Sequence, residues 1–405
     1  MPRKSSRTNA VRTVTYNLLS SSLAEASHFP ECKPEYLASD YRYAKIEAML
    51  EEEMDKGSIL CLQEVSQLWY GKLQAFFVAR GYSFNCRLYG NPWNDYMGVG
   101  IAVPLDKYSL DDVQMVRIAD TLQLPRAPRP TAMKKHLNTV MGIMKDAVYG
   151  PVVVAVFAYL FLFGGAQGYS KDLALTQLHV LAWFVLLVGM KLHHTGKLKQ
   201  WLVNLKLCKP AFDLWVDAKR RYNVCVTCTL TATSSGKKFV IGTYHMPCNF
   251  RHMDFMVVHS ALCLQYVQKM AAKEDDGNGV PYLLLGDFNW KPHDASYALY
   301  QSGTVETNHP DCPTLLPGMR WNIDVQPMRS AYVEALGSEP DFTNNALCKG
   351  MPVFIETLDY IWMSDEWTCS SVKELPTTAD AESLGPFPAE NEPSDHILLW
   401  AEMTL

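Results

Sequence analysis

Pro281-Tyr282-Leu283-Leu284-Leu285-Gly286-Asp287-Phe288-Asn289 is an apolar run that closes on a carboxylate and a carboxamide. A short apolar run bounded by turn-forming residues reads as a buried strand. The same reading repeats along the chain. Val11 to Leu19 reads as a strand with Asn17 near its end, and Ser58 to Val65 closes on Gln63-Glu64. Phe239 to Met246 carries His245, and Glu356 to Met363 carries Asp359. Tyr96 to Pro104 is a further strand, and His396 to Thr404 follows directly on Pro393-Ser394-Asp395. Between the strands lie stretches that suit helices: residues 40–55, Leu68 to Arg80 stopped by Gly81, and Met253 to Lys273. Alternating strands and helices predict the α/β class.

The bulk numbers allow a sizeable core. The 405 residues are 48% hydrophobic and 20% charged, and the net charge is −5. That balance excludes a protein that holds nucleic acid by charge alone, but leaves room for a local basic groove. The 11 cysteines are odd in number. The basic Met1-Pro2-Arg3-Lys4 start is followed by no apolar stretch of secretory type. The thiols therefore read as reduced and the catalytic part as cytosolic. Cys225 and Cys228 fall in an expected strand, Tyr222 to Leu230, where positions three apart point to opposite faces. They read as packing residues, and the thiolate and imidazole spacing of a structural zinc site is absent.

Eight polar residues stand at or beside strand ends: Asn17, Glu64, His245, Asp287, Asn289, Asp359, Asp395 and His396. Singly, each is explained as a turn residue. The set asks for more. Carboxylates and carboxamides suit a hard cation such as Mg²⁺, which takes oxygen ligands. Two imidazoles and a further carboxylate suit proton transfer and charge stabilisation.

The strings Tyr16-Asn17-Leu18-Leu19, Leu62-Gln63-Glu64-Val65, Tyr244-His245-Met246-Pro247, Gly286-Asp287-Phe288-Asn289, Leu358-Asp359-Tyr360-Ile361 and Ser394-Asp395-His396 occur in that order. Together they resemble the motif series of the endonuclease/exonuclease/phosphatase superfamily, over residues 11–120 and 211–405. The resemblance implies a four-layer α/β/β/α sandwich with its site at one edge, between the two sheets. It implies Mg²⁺, with Mn²⁺ as the alternative. Glu64 resembles the principal metal ligand, with Asn17 and Asp395 helping directly or through water. Asp287 and Asn289 resemble the pair that orients the attacking water and a phosphate oxygen. His396 resembles the histidine on the scissile phosphate, polarised by Asp359. His245 resembles the second histidine, which stabilises developing charge or protonates the leaving group. Which group is the general base stays open.

A second series, Ser330-Ala331-Tyr332, then Gly337 to Asn344, Phe354 and Thr357 to Ile361, resembles the deadenylase-like branch, with nocturnin, angel and the carbon catabolite repressor type. Its members act on RNA 3′ ends or on small nucleotides. Phe342 and Asn344 would then stack on and hydrogen-bond a base; the competing reading is a loop packed on the sheet.

The pattern breaks between residues 121 and 210. Residues 121–131 are rich in Pro and Arg, as in a linker. Residues 147–170 hold no Asp, Glu, Lys, Arg or His, and residues 173–190 hold only His179 among these. Pro151 to Phe163 is apolar all round, so a helix there needs burial on every side. Lys134, Lys135 and Lys145 precede the pair of runs, and Lys191, Lys197 and Lys199 follow it. Basic flanks on both sides favour two cytosolic ends. The expectation is a hydrophobic helical hairpin, about 147–165 and 173–190, that anchors the protein in a membrane. A hairpin packed on protein is the alternative. Residues 1–10 read as a loose, disordered tail. Three functions compete. The first is a phosphodiesterase for RNA 3′ ends or nucleotides. The second is a phospholipid phosphodiesterase similar to neutral sphingomyelinases, which the hairpin favours. The third is a membrane scaffold without activity, which the complete polar set disfavours.

Overall fold

A computed structural model describes residues 10–125, 212–274, 277–323 and 325–405. The chain divides into two compact units, Met1–Pro125 with Leu214–Leu405, and Arg126–Asp213. The second unit lies outside the described residues apart from its last two, and so does the expected hairpin over residues 147–190. The expected tail lies outside them too, except for Ala10. Among the described residues, no helix is long and apolar enough to cross a membrane.

The strands of the first unit run, in chain order, β1 (Val11–Asn17), β2 (Ile59–Val65), β3 (Tyr82–Leu88), β4 (Gly98–Pro104), β5 (Tyr108–Arg117), β6 (Val224–Ala232) and β7 (Lys238–His245). They continue with β8 (Tyr282–Asp287), β9 (Arg329–Ser330), β10 (Asn344–Ala346), β11 (Phe354–Glu356), β12 (Asp359–Met363), β13 (Thr368–Val372) and β14 (Leu399–Thr404). Two six-stranded sheets form, in the orders β13-β14-β1-β2-β4-β3 and β5-β6-β7-β8-β12-β9. β10 and β11 pair separately.

Side-chain alternation explains the layers. Along β7, Phe239 and Ile241 face the other sheet, while Val240 and Tyr244 face helices. Along β8, Leu283 and Leu285 face the other sheet and Leu284 faces helices. The period of two thus sorts each strand into two cores. The core between the sheets joins Val11, Ile59, Cys61, Val99, Ile101 and Leu399 to Val226, Ile241, Leu283 and Ile361. A second core lies under the helices Met253–Ala271 and Ala295–Ser302. A third lies under the helices Ser39–Asp55 and Gln67–Ala79. The result is the expected four-layer α/β/β/α sandwich. Cys225 and Cys228 fall in different cores, on opposite faces of β6.

The helix Ser39–Asp55 buries Arg42, Ile46, Leu50, Glu53 and Met54, an i, i+4 stripe. The helix Gln67–Ala79 starts on Ser66, whose hydroxyl accepts from the Trp69 amide at 3.3 Å. β1 runs parallel to β2 and β7 parallel to β8, so the carboxyl ends of both pairs gather polar residues.

One glycine controls the approach of β7 and β8. A Cβ built on Gly286 would lie 2.0 Å from the Tyr244 carbonyl oxygen. We predict that Gly286→Ala destabilises the fold by about 3 kcal/mol, in the range of overpacked cores, as read by urea unfolding. A variant as stable as wild type would show that the two strands can part at this point.

Candidate active site

Alternation carries Asn17 on β1, His245 on β7, Asp287 on β8 and Asp359 on β12 to the inward faces of their sheets, at strand ends. His245 pairs in register with Asp287, and Asp287 with Asp359. Glu64 does not follow the rule. With Leu60 and Leu62 facing helices, strict alternation would send Glu64 the same way. The pairing of β2 with β4 slips between Leu62 and Val65, and Glu64 takes φ 55°. Val65 turns to the helix side instead. A bulge re-aims a side chain in this way, and a non-glycine residue at positive φ costs about 1–3 kcal/mol. Asn289 has φ 53°, a conformation that asparagine tolerates.

Asn17 is the hub. Its Nδ2 donates to Asp287 Oδ2 at 2.9 Å and to Glu64 Oε1 at 3.3 Å. Its Oδ1 accepts from the Leu19 amide at 2.9 Å. Its oxygen is engaged with the backbone, and its nitrogen holds two carboxylates together. Glu64 Oε2 accepts from the Ser20 amide at 2.9 Å. His245 Nε2 stands 3.4 Å from Asp287 Oδ2 and 3.9 Å from Glu64 Oε1. Asp287 Oδ1 accepts from the Asn289 amide at 2.9 Å, and the Asn289 side-chain amide donates to the Met246 carbonyl at 3.0 Å.

His396 faces Asp359 with Nδ1, 2.7 Å from Oδ2. Its Nε2 faces inward, 3.7 Å from Asp287 Oδ2 and 4.0 Å from Asp395 Oδ1. Thr343 also donates to Asp359 Oδ2, at 2.7 Å, and its oxygen accepts from the Leu358 and Asp359 amides. Burial pulls the imidazolium of His396 down, but Asp359, Asp287 and Asp395 together carry it well above the ordinary value. Burial pushes the Asp287 carboxyl up to about 6, against the pull of His396 and His245 and with Asp359 adding to the rise. Burial also raises Asp395.

Asp287, Asp359 and His396 form a group with ligand atoms within 4.8 Å of one another. The short Asp359–His396 hydrogen bond occupies Nδ1 and leaves Nε2 facing Asp287 at 3.7 Å. The carboxylates that suit a hard cation by their oxygens are Glu64, which accepts from Asn17 and Ser20, and Asp395. The Glu64 charge is among those that raise Asp395. This excess of negative charge in a dry edge fits a divalent cation with oxygen ligands.

Phe342 requires a correction. Its exposure is 0 %, and it packs with Ala381, Phe387 and Ile397. A ring with no open face cannot stack on a base. Asn344 is buried in β10, with its backbone bridged to His396. Its side-chain oxygen has no partner among the described residues. The aromatic residues that do stand open are others. Phe250 is 46 % exposed in the loop after His245, and its ring lies 6.0 Å from that of half-buried Phe354. Lys291 lies 5.3 Å over Phe354 and pairs with Glu356. Sequence reading missed Phe250, Lys291, Thr343 and Ser20. Thr343 directly follows Phe342 in the quoted series, and Lys291 follows Asn289 closely, so position was the available signal.

Residues 14–396 match the model of a family described as the Endonuclease/Exonuclease/phosphatase family. The chain is 28% identical, over 48% of its length, to the CCR4-Not complex 3′-5′-exoribonuclease subunit Ccr4 of Yarrowia lipolytica, covering 30% of that protein. It is 24% identical over 99% of its length to the Aspergillus clavatus protein of the same name, covering 54% of it. The chain thus spans about half or less of these relatives. The fold is similar to that of ANGEL2, a 2′,3′-cyclic phosphatase, in complex with adenosine-2′,3′-vanadate, with a TM-score of 0.63, 17% identity and 97% and 95% of the two chains covered. It is also similar to the human Nocturnin catalytic domain with bound sulfate anion, with a TM-score of 0.53, 17% identity and 98% and 93% covered. These names belong to the deadenylase-like branch that the motif series resembles.

The raised His396 has a testable consequence. A base raised on folding contributes stability in full below its unfolded value and loses it as pH rises through its folded value. Asp359→Asn should bring the His396 titration down toward the ordinary range in proton NMR. It should cost about 3 kcal/mol near neutral pH, a difference that closes at alkaline pH. An unchanged His396 titration would show that Asp359 does not set its charge.

Proposed function

The chain belongs to the endonuclease/exonuclease/phosphatase family, and on that premise we propose that it is a divalent-metal-dependent phosphodiesterase acting on RNA 3′ ends or nucleotides. The observation that carries this reading is the convergence of Asn17, Glu64, His245, Asp287 and the Asp359–His396 pair at one edge between two packed sheets. Phosphoryl transfer needs positioning and neutralisation of oxygen charge more than covalent help.

Glu64 would hold Mg²⁺, with Asn17 and Asp395 helping directly or through water and Mn²⁺ as the alternative, and the ion would neutralise a phosphate oxygen as a Lewis acid. The protein's own groups do the rest. His396, held as imidazolium by Asp359, points Nε2–H at the phosphate. His245 Nε2 lies near the same Asp287 oxygen and stabilises the leaving oxygen or protonates it. Asp287, whose carboxyl is raised by burial, sits between the two imidazoles and orients the attacking water. Asn289 follows in a left-handed turn beside it. Phe250, Phe354 and Lys291 form one group, close in sequence to His245, Asp359 and Asn289, and the open Phe250 ring suits a nucleobase better than an acyl chain. The names of the relatives favour the same substrate class.

The catalytic domain comprises residues 11–120 and 211–405. Within the insertion 121–210, residues 147–190 are proposed as a membrane hairpin, with the catalytic domain on the cytosolic side. Fractionation without detergent tests that part: a fully soluble, monodisperse full-length protein would count against it.

The substrate is tested with a panel of oligo(A), dinucleotide cofactors, sphingomyelin and abasic DNA with Mg²⁺. We expect hydrolysis of oligo(A) or a nucleotide, abolished by EDTA. Activity on sphingomyelin alone would overturn the substrate class in favour of a phospholipid phosphodiesterase. Glu64→Ala and His396→Ala should each lower kcat by about 10²-fold or more, as loss of electrostatic stabilisation does. The fold should be retained in circular dichroism. An active Glu64→Ala protein would sink the assignment.

A further inference from the structure

Arg42 lies on the helix Ser39–Asp55 with 0 % of its surface exposed. Among the described residues, its hydrogen bonds all go to backbone carbonyls. Nε donates to Pro393 at 2.5 Å, and Nη2 donates to Leu18 at 2.5 Å and to Leu19 at 2.6 Å. The Trp69 ring lies 5.0 Å away. Burial without a hydrogen-bonded carboxylate lowers the guanidinium to about 10, so it stays charged at neutral pH. A buried cation of this kind is costly, and an apolar side chain of similar volume would fill the space at less cost.

What the guanidinium joins explains its presence. Leu18 and Leu19 follow Asn17, and the Leu19 amide in turn donates to Asn17 Oδ1. Pro393 precedes Ser394, Asp395 and His396. Ser394 supplies a second cross-link: its hydroxyl donates to the Asn17 carbonyl at 2.7 Å and accepts from the His396 amide at 3.2 Å. Two cross-links therefore fasten the end of β1 to the segment that enters β14. The planar fork of arginine reaches carbonyls of both segments at once; a lysine ammonium is a point charge on a flexible stem and cannot hold that geometry.

We propose that Arg42, together with Ser394, is a clasp that positions Asn17 and the Asp395-His396 segment against each other. Through Asn17 the clasp sets Glu64 and Asp287 relative to His396. Arg42 touches no substrate in this account; it is a positioning residue. The inference rests on the reading of this edge as a phosphodiesterase site.

The test uses the full chain with Arg42→Lys, Ser394→Ala and the double variant Arg42→Lys/Asn17→Ala. Steady-state kinetics on oligo(A) are paired with calorimetric titration of Mn²⁺ alone and with thermal melts. The expected result is a folded Arg42→Lys protein with kcat down about 10²-fold, the scale of an ångström-sized misplacement, and KM within about twofold of wild type. Its Mn²⁺ affinity should weaken, and the double variant should be no worse than Asn17→Ala alone, because the two act as one unit. A folded Arg42→Lys protein with wild-type kcat and Mn²⁺ affinity would overturn the proposal. So would an activity loss that follows only the unfolded fraction. If Arg42→Lys does not fold, Ser394→Ala decides: lost kcat with weakened Mn²⁺ binding supports the clasp, and wild-type behaviour overturns it. A wild-type chain inactive on every substrate defeats the functional reading, while the Mn²⁺ comparison still decides the clasp. A wild-type chain that binds no Mn²⁺ defeats both.

Discussion

Glu64, Asp287, Asp359 and Asp395 share one edge between two sheets, and three of the four are buried. Buried like charges repel and are poorly solvated, so the surrounding structure has to offset them. His396 does so as an imidazolium locked on Asp359. Asn17 does so with an amide shared between Glu64 and Asp287. The Ser20 amide takes the other Glu64 oxygen. Arg42 adds a buried positive charge behind the edge. Asp287 relieves part of the strain by binding its proton more tightly. What these groups leave uncompensated is the charge that a divalent cation would meet.

The backbone is bent to keep that arrangement. Glu64 reaches the edge only because β2 slips in register and takes a left-handed residue there. Asn289 turns back on Asp287 through another left-handed residue. Gly286 lets β8 press against β7, which brings His245 level with Asp287. Unfavourable local conformations of this type gather at functional sites, where packing elsewhere holds them in place. Here the three apolar cores supply that packing, and the site spends some of the stability they provide.

The legible part of the sequence was the part governed by simple periods. β1, β2, β7, β8 and β12 were visible as apolar runs, and their ends gave Asn17, His245, Asp287 and Asp359 directly. The helices at residues 40–55 and Met253 onward were visible for the same reason. β5 was not, because Ser109, Asp111, Asp112 and Gln114 interrupt its apolar positions at the outer edge of a sheet. β3 was missed likewise, with Ser83, Asn85 and Arg87 on one face of another edge strand. Glu64 was found from its place at a strand end and from its motif, although strict alternation would have pointed it away. Phe342 was misread because an aromatic residue near a site suggests stacking, whereas here the ring fills a small satellite core. Arg42 gave no sequence signal of its role. An arginine within a helical stripe reads as surface charge until its three carbonyl partners, one of them far along the chain, are seen.

The central claim is that this edge of carboxylates holds the divalent cation that neutralises a phosphate oxygen. The most direct measurement is the anomalous diffraction of crystals soaked in Mn²⁺. The account predicts a single strong peak at the sheet edge, about 2.1 Å from a Glu64 carboxylate oxygen. Saturating Mn²⁺ with no peak there, or a peak bound by other residues while Glu64 remains tied only to Ser20 and Asn17, would contradict it.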